Sequence, residues 1–144
     1  MWQRYQTLLL AVATLLIVSL FWCDLSRTVM ADGIIDYVKY TDKTIFKVWL
    51  IILTVLHVLA LGGFKWRMKQ FRVVVFTALV TLGFQIWLAV YFFQTKDTSV
   101  MSWTALFPLL AAGLDAYAAR NILLDEFIVQ SANRLRGPRK KKKQ

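Results

Sequence analysis

Long apolar stretches alternate along the chain with short polar segments. A helix needs about 20 apolar residues to cross the hydrocarbon core of a bilayer, within a range of roughly 17 to 25. Stretches of that length cover residues 7–23, 45–64, 73–93 and 103–119. None alternates apolar and polar residues with a period of two, which a transmembrane barrel strand requires. The pattern therefore predicts four transmembrane helices, and the short loops between most of them favour antiparallel neighbours.

The chain keeps a helical pattern beyond the fourth stretch, up to the helix-ending pair Gly137-Pro138. Leu124, Phe127 and Ile128 share one face of this segment, whereas Glu126 lies on the opposite face. We therefore predict a cytoplasmic amphipathic helix over residues 120–136 and a polybasic tail over residues 137–144. The predicted fold class is an all-α membrane protein, with an antiparallel four-helix transmembrane bundle over residues 1–119.

The composition agrees with a membrane protein of one domain. Of the 144 residues, 58% are hydrophobic and 15% are aromatic, and the mean hydropathy is +0.54. A soluble domain of this size buries only a limited fraction of its surface and could not hide so much apolar area. Lipid is the solvent that this composition fits.

The first apolar stretch resembles a signal peptide, with Arg4 as its charged start and Cys23 as a lipoprotein-like cysteine. Cleavage, however, requires small residues before the cut, and Leu20, Phe21 and Trp22 precede Cys23. We interpret the stretch as a retained helix. Because the chain has a single cysteine, it cannot form an intramolecular disulfide or act alone as a disulfide-exchange enzyme.

The basic residues indicate which way the chain crosses the membrane. The N-terminal arm, the loop after the second stretch and the C-terminal segment hold most of the Lys and Arg, and the intervening loops hold fewer. This bias places both termini in the cytoplasm of a bacterial inner membrane. Candidate contacts to anionic lipid or to a partner are Lys65, Arg67, Lys69, Arg72, Arg139, Lys140, Lys141, Lys142 and Lys143. Each base near anionic lipid contributes about 1 kcal/mol, and contact of the tail with the ribosome or a nucleic acid is the alternative.

The loop over residues 24–44 is the longest segment predicted on the outer side. Its apolar residues, among them Val29, Ile35 and Val38, predict a short segment that lies on the bilayer or over the helix ends, and Gly33 predicts a turn. The simpler interpretation is a cap on the helix ends. The alternative is a loop that binds a partner protein.

Among the polar side chains within the apolar stretches, we single out His57, Gln85 and Asp115. Such residues are costly in a membrane, so each is a candidate site. Together they could form a relay for protons or a substrate, but the simpler interpretation is hydrogen bonding that holds the helices together. One histidine, with every methionine outside the spans, cannot supply two axial haem ligands to a single chain. We therefore expect no cofactor and no metal.

No motif in the sequence indicates an enzyme. There is no glycine-rich phosphate loop, no pair of metal ligands on one helix and no serine nucleophile elbow. Asp32-Gly33 begins like a phosphotransferase motif, but the later aspartates are not suitably placed in a cytoplasmic helix. We therefore predict a noncatalytic protein.

Short motifs at the two ends of the chain resemble those of a known family. They are Gln3, Arg4, Gln6 and Thr7 at the start and Arg120, Asp125, Glu126, Ser131, Arg134 and Arg136 near the end. The chain resembles small four-helix inner-membrane proteins of Bacteroidota that form a family of unknown function. That family carries bases where this chain has Leu123 and Leu124, so this segment is more apolar here. The resemblance implies a fold and a location, but no activity or catalytic residue.

These observations together predict an accessory or scaffold subunit of a membrane complex, with other membrane proteins or further copies of itself as partners. The first alternative is a small homo-oligomeric transporter or channel. The second is a membrane protein that contacts the ribosome or a nucleic acid through its basic tail, a contact that would depend steeply on salt.

Overall fold

The protein is described here from a computed structural model that covers residues 2–29, 34–63 and 67–135. The helices are α1 (Trp2–Ser19), α2 (Thr44–Gly62), α3 (Arg67–Thr95) and α4 (Phe107–Leu135), the last preceded by a 3₁₀ turn over Trp103–Leu106. The strands are β1 (Asp24–Val29), β2 (Ile35–Lys39) and β3 (Val100–Met101). The described chain is thus mostly helical, with a small sheet.

Two of the described helices are long and apolar enough to cross a membrane by length and composition. They are α2 over Thr44–Gly62 and α3 over Met68–Thr95, with mean hydropathies of 2.3 and 2.2. Within the most apolar 18 residues of each helix, only 28% in α2 and 33% in α3 are buried inside the protein. A core helix of a soluble protein would be mostly buried, so these two helices instead present apolar side chains outwards. The apolar part of α1, Tyr5–Ser19, is shorter.

The buried face of α2 shows why these sequences pack as helices. Phe46, Leu50, Leu53, His57 and Ala60 are its buried residues, and they recur every three or four positions. That spacing places them on one face of a helix with 3.6 residues per turn. The remaining faces carry exposed isoleucine, valine and leucine, so α2 is apolar over most of its surface, with Lys47 exposed near its start.

The helices pack in a closed order, in which α1 and α3 each contact both α2 and α4. On α4, small side chains at Ala111, Ala112, Ala118 and Ala119 are buried in these contacts. Small residues allow helix backbones to approach closely. In this arrangement α2 and α4 lie across the middle of the molecule from each other.

A three-stranded antiparallel sheet of order β2-β1-β3 covers the end of the molecule where α2 begins and α3 ends. Thr28 of β1 pairs with Asp36 of β2 across the hairpin, and Ser26 of β1 pairs with Met101 of β3. The prediction of an all-α chain is therefore wrong in this segment. The β-branched and aromatic residues of both hairpin strands favour extended structure, and β3 gives β1 a second partner. The turn predicted at Gly33 lies outside the described residues.

Helix α4 continues without interruption from Phe107 to Leu135. The helical pattern predicted beyond the fourth apolar stretch is thus present, whereas the division at residues 119/120 into a span and a cytoplasmic segment stays a prediction. No proline occurs between Pro108 and Gly137, so nothing in the backbone breaks the helix there. Pro108 itself lies in the first turn, where a missing N–H costs little. The tail over residues 137–144 lies outside the described residues.

Two clusters of buried apolar residues fill the interior. The first lies towards the sheet and includes Ile17, Leu25, Tyr40, Phe46 and Phe84. Its aromatic rings meet edge to face, with centroids of Phe46 and Tyr91 5.3 Å apart. The second lies towards the chain ends and is described by Leu10, Ala60, Val74, Ala118 and Ile122. The polar residues of the interior lie within and between these clusters.

Candidate functional site

The structure brings two of the three predicted intramembrane polar residues together in the middle of the molecule. His57 Nε2 on α2 lies 3.2 Å from Asp115 Oδ2 on α4, with the side chains 1% and 0% exposed. The pair thus joins the two helices that face each other across the interior. Neither His57 Nε2 nor the two carboxyl oxygens of Asp115 has a hydrogen-bond partner among the residues that the structure describes.

The second ring nitrogen of His57 makes a hydrogen bond within its own helix. His57 Nδ1 lies 2.8 Å from the carbonyl oxygen of Leu53, one turn earlier on α2. Because a carbonyl only accepts, Nδ1 carries a hydrogen and donates it. The contact with Leu53 therefore holds the ring so that Nε2 faces the carboxyl group of Asp115.

Gln85 is not part of this arrangement. Its Oε1 atom is buried and has no donor within the described part of the chain, and no contact to His57 or Asp115 is observed. A relay through all three candidates stays a prediction. Gln85 instead continues a line of polar residues on α3 that includes Thr77 and Thr81.

The buried hydroxyls of Thr77 and Thr81 escaped the sequence analysis. Both side chains are fully buried, and each hydroxyl donates to the carbonyl one turn earlier, at 2.9 Å for Thr77 and 2.8 Å for Thr81. Threonine is common in apolar helices, where it satisfies its hydroxyl in this way. The spacing of four residues between Thr77, Thr81 and Gln85 was the signal that they share one face.

A second polar contact joins the two ends of the chain. Gln6 Nε2 on α1 donates to Asp125 Oδ2 on α4, with a separation of 2.6 Å, and Gln6 is buried. Two members of the terminal motifs that carried the family resemblance are therefore neighbours. The sequence also suggests an ion pair from Arg4 to Asp125 or Glu126, and this stays a prediction, since the side chain of Arg4 lies outside the described residues.

The other residues of these motifs are placed as follows. Glu126 accepts a hydrogen bond from Gln130 at 3.1 Å on an exposed face. The hydroxyl of Ser131 donates to the carbonyl of Ile128. Arg120 and Thr7 are exposed, and Thr7 takes part in a further interaction. The side chains of Gln3, Arg134 and Arg136 lie outside the described residues.

The predicted basic contact residues are described only in part. Lys69 and Arg72 are exposed on the first turns of α3, and Lys69 has an interaction partner. Lys65, the side chain of Arg67 and the tail bases Arg139, Lys140, Lys141, Lys142 and Lys143 lie outside the described residues. Their proposed contact with lipid or a partner stays a prediction.

The sheet end of the molecule carries a polar cleft of about 210 Å³. Arg27, Tyr37 and Trp103 are among its lining residues, and the Trp103 side chain is 86% exposed. Beneath the sheet, burial raises the pKa of the Tyr40 hydroxyl to about 12, although the Thr104 side chain partly offsets this effect. The Tyr40 hydroxyl has no partner with full hydrogen-bond geometry in the described ranges.

Within the described residues, no group of three or more His, Cys, Asp or Glu side chains could hold a metal ion. Among the described residues, two pairs of polar side chains meet across helices: His57 and Asp115 in the interior, and Gln6 and Asp125 at its edge. Each pair connects α4 to another helix. The buried Gln70 side chain of α3 also donates to the carbonyl oxygen of Ala60 on α2, at 3.1 Å.

Comparison with known proteins places the chain in a family. No curated protein and no solved structure shows significant similarity to it. The sequence profile described as "Domain of unknown function (DUF4293)" matches residues 2–135, which is nearly the whole chain. The protein therefore belongs to the DUF4293 family.

Proposed function

We propose that this protein is a noncatalytic, multi-pass subunit of the bacterial inner membrane that acts as an accessory or scaffold component of a membrane complex. The outward faces of α2 and α3 carry the proposal. Val55, Val58 and Leu59 on α2, and Leu79 and Ile86 on α3, are exposed along much of the helix length. Lipid or the apolar surface of another membrane protein would cover such faces.

Four spans with both termini in the cytoplasm fit the arrangement of the helices. The Gln6–Asp125 contact joins the start of α1 to the later part of α4, and the sheet lies at the other end. With 18 residues in α1 and a rise of 1.5 Å per residue, this helix is about 27 Å long. That length approaches the hydrocarbon thickness of a bilayer, and the distribution of Lys and Arg gives the orientation.

A role in binding other proteins is favoured by what the molecule exposes. His57 and Asp115 are sealed from solvent, so no substrate reaches them in this conformation. The sheet, in contrast, presents Tyr37 and Trp103 in one cleft. Exposed tryptophan and tyrosine are enriched among the residues that dominate protein interfaces. The proposed partner surface is therefore the sheet together with the apolar helix flanks.

Photo-crosslinking in native membranes tests this proposal. A photoreactive amino acid at Tyr37 or Trp103 should give a defined adduct with a membrane protein or a second copy of the chain. Thr98, which is exposed in the loop before β3, provides the matched control position and should give little adduct. A protein that gives no protein adduct from the sheet, and that purifies alone in mild detergent, would not be a scaffold.

A proton-coupled homo-oligomeric transporter is the second candidate, because His57 and Asp115, two side chains that can exchange protons, lie 3.2 Å apart in the interior. Purified protein in liposomes that contain a pH-sensitive dye would then show proton flux that Asp115→Asn abolishes. Flux that is absent, or that Asp115→Asn leaves unchanged, removes this candidate. Contact of the basic tail with the ribosome or a nucleic acid stays a sequence prediction.

A further inference from the structure

A groove between α2 and α3 lies beside the start of α2, next to the sheet. Its cavity measures about 510 Å³, and its lining is almost entirely apolar and aromatic. The lining consists of Lys43, Thr44, Ile45, Phe46, Val48, Trp49, Trp87 and Tyr91. Lys43 is thus the single charged residue of the groove. The ammonium group of Lys43 lies 5.9 Å from the ring centroid of Tyr91, within reach of a cation–π interaction.

Packing against the core holds part of the groove in place. The Trp49 ring lies 5.9 Å from the ring of buried Phe84, and Tyr91 packs edge to face on buried Phe46. The positions of these two rings are therefore set by the interior. Trp87 and Val48, in contrast, are exposed at the rim. Because the interior holds the rings of Trp49 and Tyr91, binding there requires little reorganisation of this part of the groove.

The groove combines hydrogen-bond donors with a largely apolar lining. Lys43 forms no ion pair with a described residue, and the indole N–H groups of Trp49 and Trp87 have no acceptor there either. These groups favour a ligand with anionic oxygen atoms at one end. The span from Lys43 to Trp49 is six residues, or about 9 Å of helix, and the wall beneath it favours an acyl chain.

We propose that this groove binds the headgroup and the upper acyl chain of one anionic phospholipid. Lys43 contacts the phosphate, and Trp49, Trp87 and Tyr91 flank the glycerol and the first methylene groups. Tryptophan and tyrosine prefer this headgroup level of a bilayer. In the proposed topology, the site lies in the outer leaflet of the inner membrane, so this inference rests on the proposed membrane function.

Native mass spectrometry of the full chain in detergent, titrated with palmitoyl-oleoyl phosphatidylglycerol, tests the site. Lys43→Gln should weaken binding about fivefold, since one basic contact contributes about 1 kcal/mol. Lys47→Gln is the matched control, because Lys47 lies one turn further along α2 and does not line the groove. It should leave binding unchanged. Trp87→Ala should weaken binding while the protein stays folded.

Three results would overturn the lipid site. The first is equal weakening by Lys43→Gln and Lys47→Gln, which would indicate unspecific charge attraction. The second is equal affinity for zwitterionic phosphatidylethanolamine. The third is full competition by soluble glycerol phosphate, which would indicate a phosphate site without an acyl chain. Failure of the protein to insert into bilayers would instead contradict the proposed membrane function, so the two failures are distinguishable.

Discussion

At the scale of single residues, the interior is defined by how its polar atoms are satisfied. The buried threonines donate to their own helix, whereas His57 and Asp115 depend on each other. Both residues are recognisable in the sequence as polar positions in apolar stretches. Their pairing is not, because the rotation and depth of α2 against α4 are set by packing around Ala111 and Ala118. For the same reason, the sequence could not show whether Gln85 makes a hydrogen bond to this pair.

The first prediction concerns the coupling of His57 and Asp115. Asp115→Ala should destabilise the protein by about 3 kcal/mol, since it leaves a buried polar ring without its partner. The double variant His57→Leu, Asp115→Leu should cost less than the sum of the single changes, because neither partner then lacks the other. Unfolding in mixed micelles measures these differences. Gln85→Leu is the control, and strictly additive effects would show that the pair does not interact.

The second prediction concerns Tyr40, which lies outside the predicted spans. Because burial raises its pKa to about 12, folding favours the protonated phenol. Its contribution to stability is complete below about pH 10, the ordinary pKa of tyrosine, and is lost as the pH rises towards 12. Thermal denaturation between pH 8 and pH 12 should therefore show an alkaline loss that is smaller in Tyr40→Phe. The exposed Tyr37 gives the control Tyr37→Phe, and an alkaline profile that Tyr40→Phe leaves unaltered would contradict the assignment.

At the scale of elements, hydrophobic length predicted the helices well, since α2 and α3 largely coincide with the second and third apolar stretches. The sheet was not predictable to the same degree. Its strand β3 has two residues and joins β1 across the intervening helices α2 and α3, so no local pattern reveals it. Helix α4, in contrast, continues to Leu135, as the helical pattern beyond the fourth apolar stretch indicates.

The third prediction tests the seam between α1 and α4. Asp125→Ala removes the acceptor of the buried Gln6 amide, and hydrogen bonds to charged groups contribute roughly 1.5 to 3 kcal/mol. We expect a loss near the lower end, because Asp125 is partly exposed. Glu126→Ala is the matched control, since its partner Gln130 is exposed and such contacts contribute little. Thermal unfolding in detergent distinguishes them, and equal losses would show that the Gln6 contact does not stabilise the seam.

At the scale of the whole molecule, the protein has a closed interior and an exterior that is apolar along its helices. Two helices pass the length and hydropathy criteria for a span, and the proposal adds α1 and α4. With four spans, the sheet and the end of α4 face opposite sides of the membrane.

The most direct test is cysteine accessibility in intact cells with a permeabilised outer membrane. Cys23→Ala removes the single cysteine of the chain, and cysteines are then introduced one at a time as Asp36→Cys, Asp97→Cys and Ser131→Cys, all at exposed positions. We expect a membrane-impermeant maleimide to label the Asp36→Cys and Asp97→Cys variants before lysis. The Ser131→Cys variant should be labelled only after the inner membrane is opened. Labelling of all three variants from the same side would contradict the four-span topology.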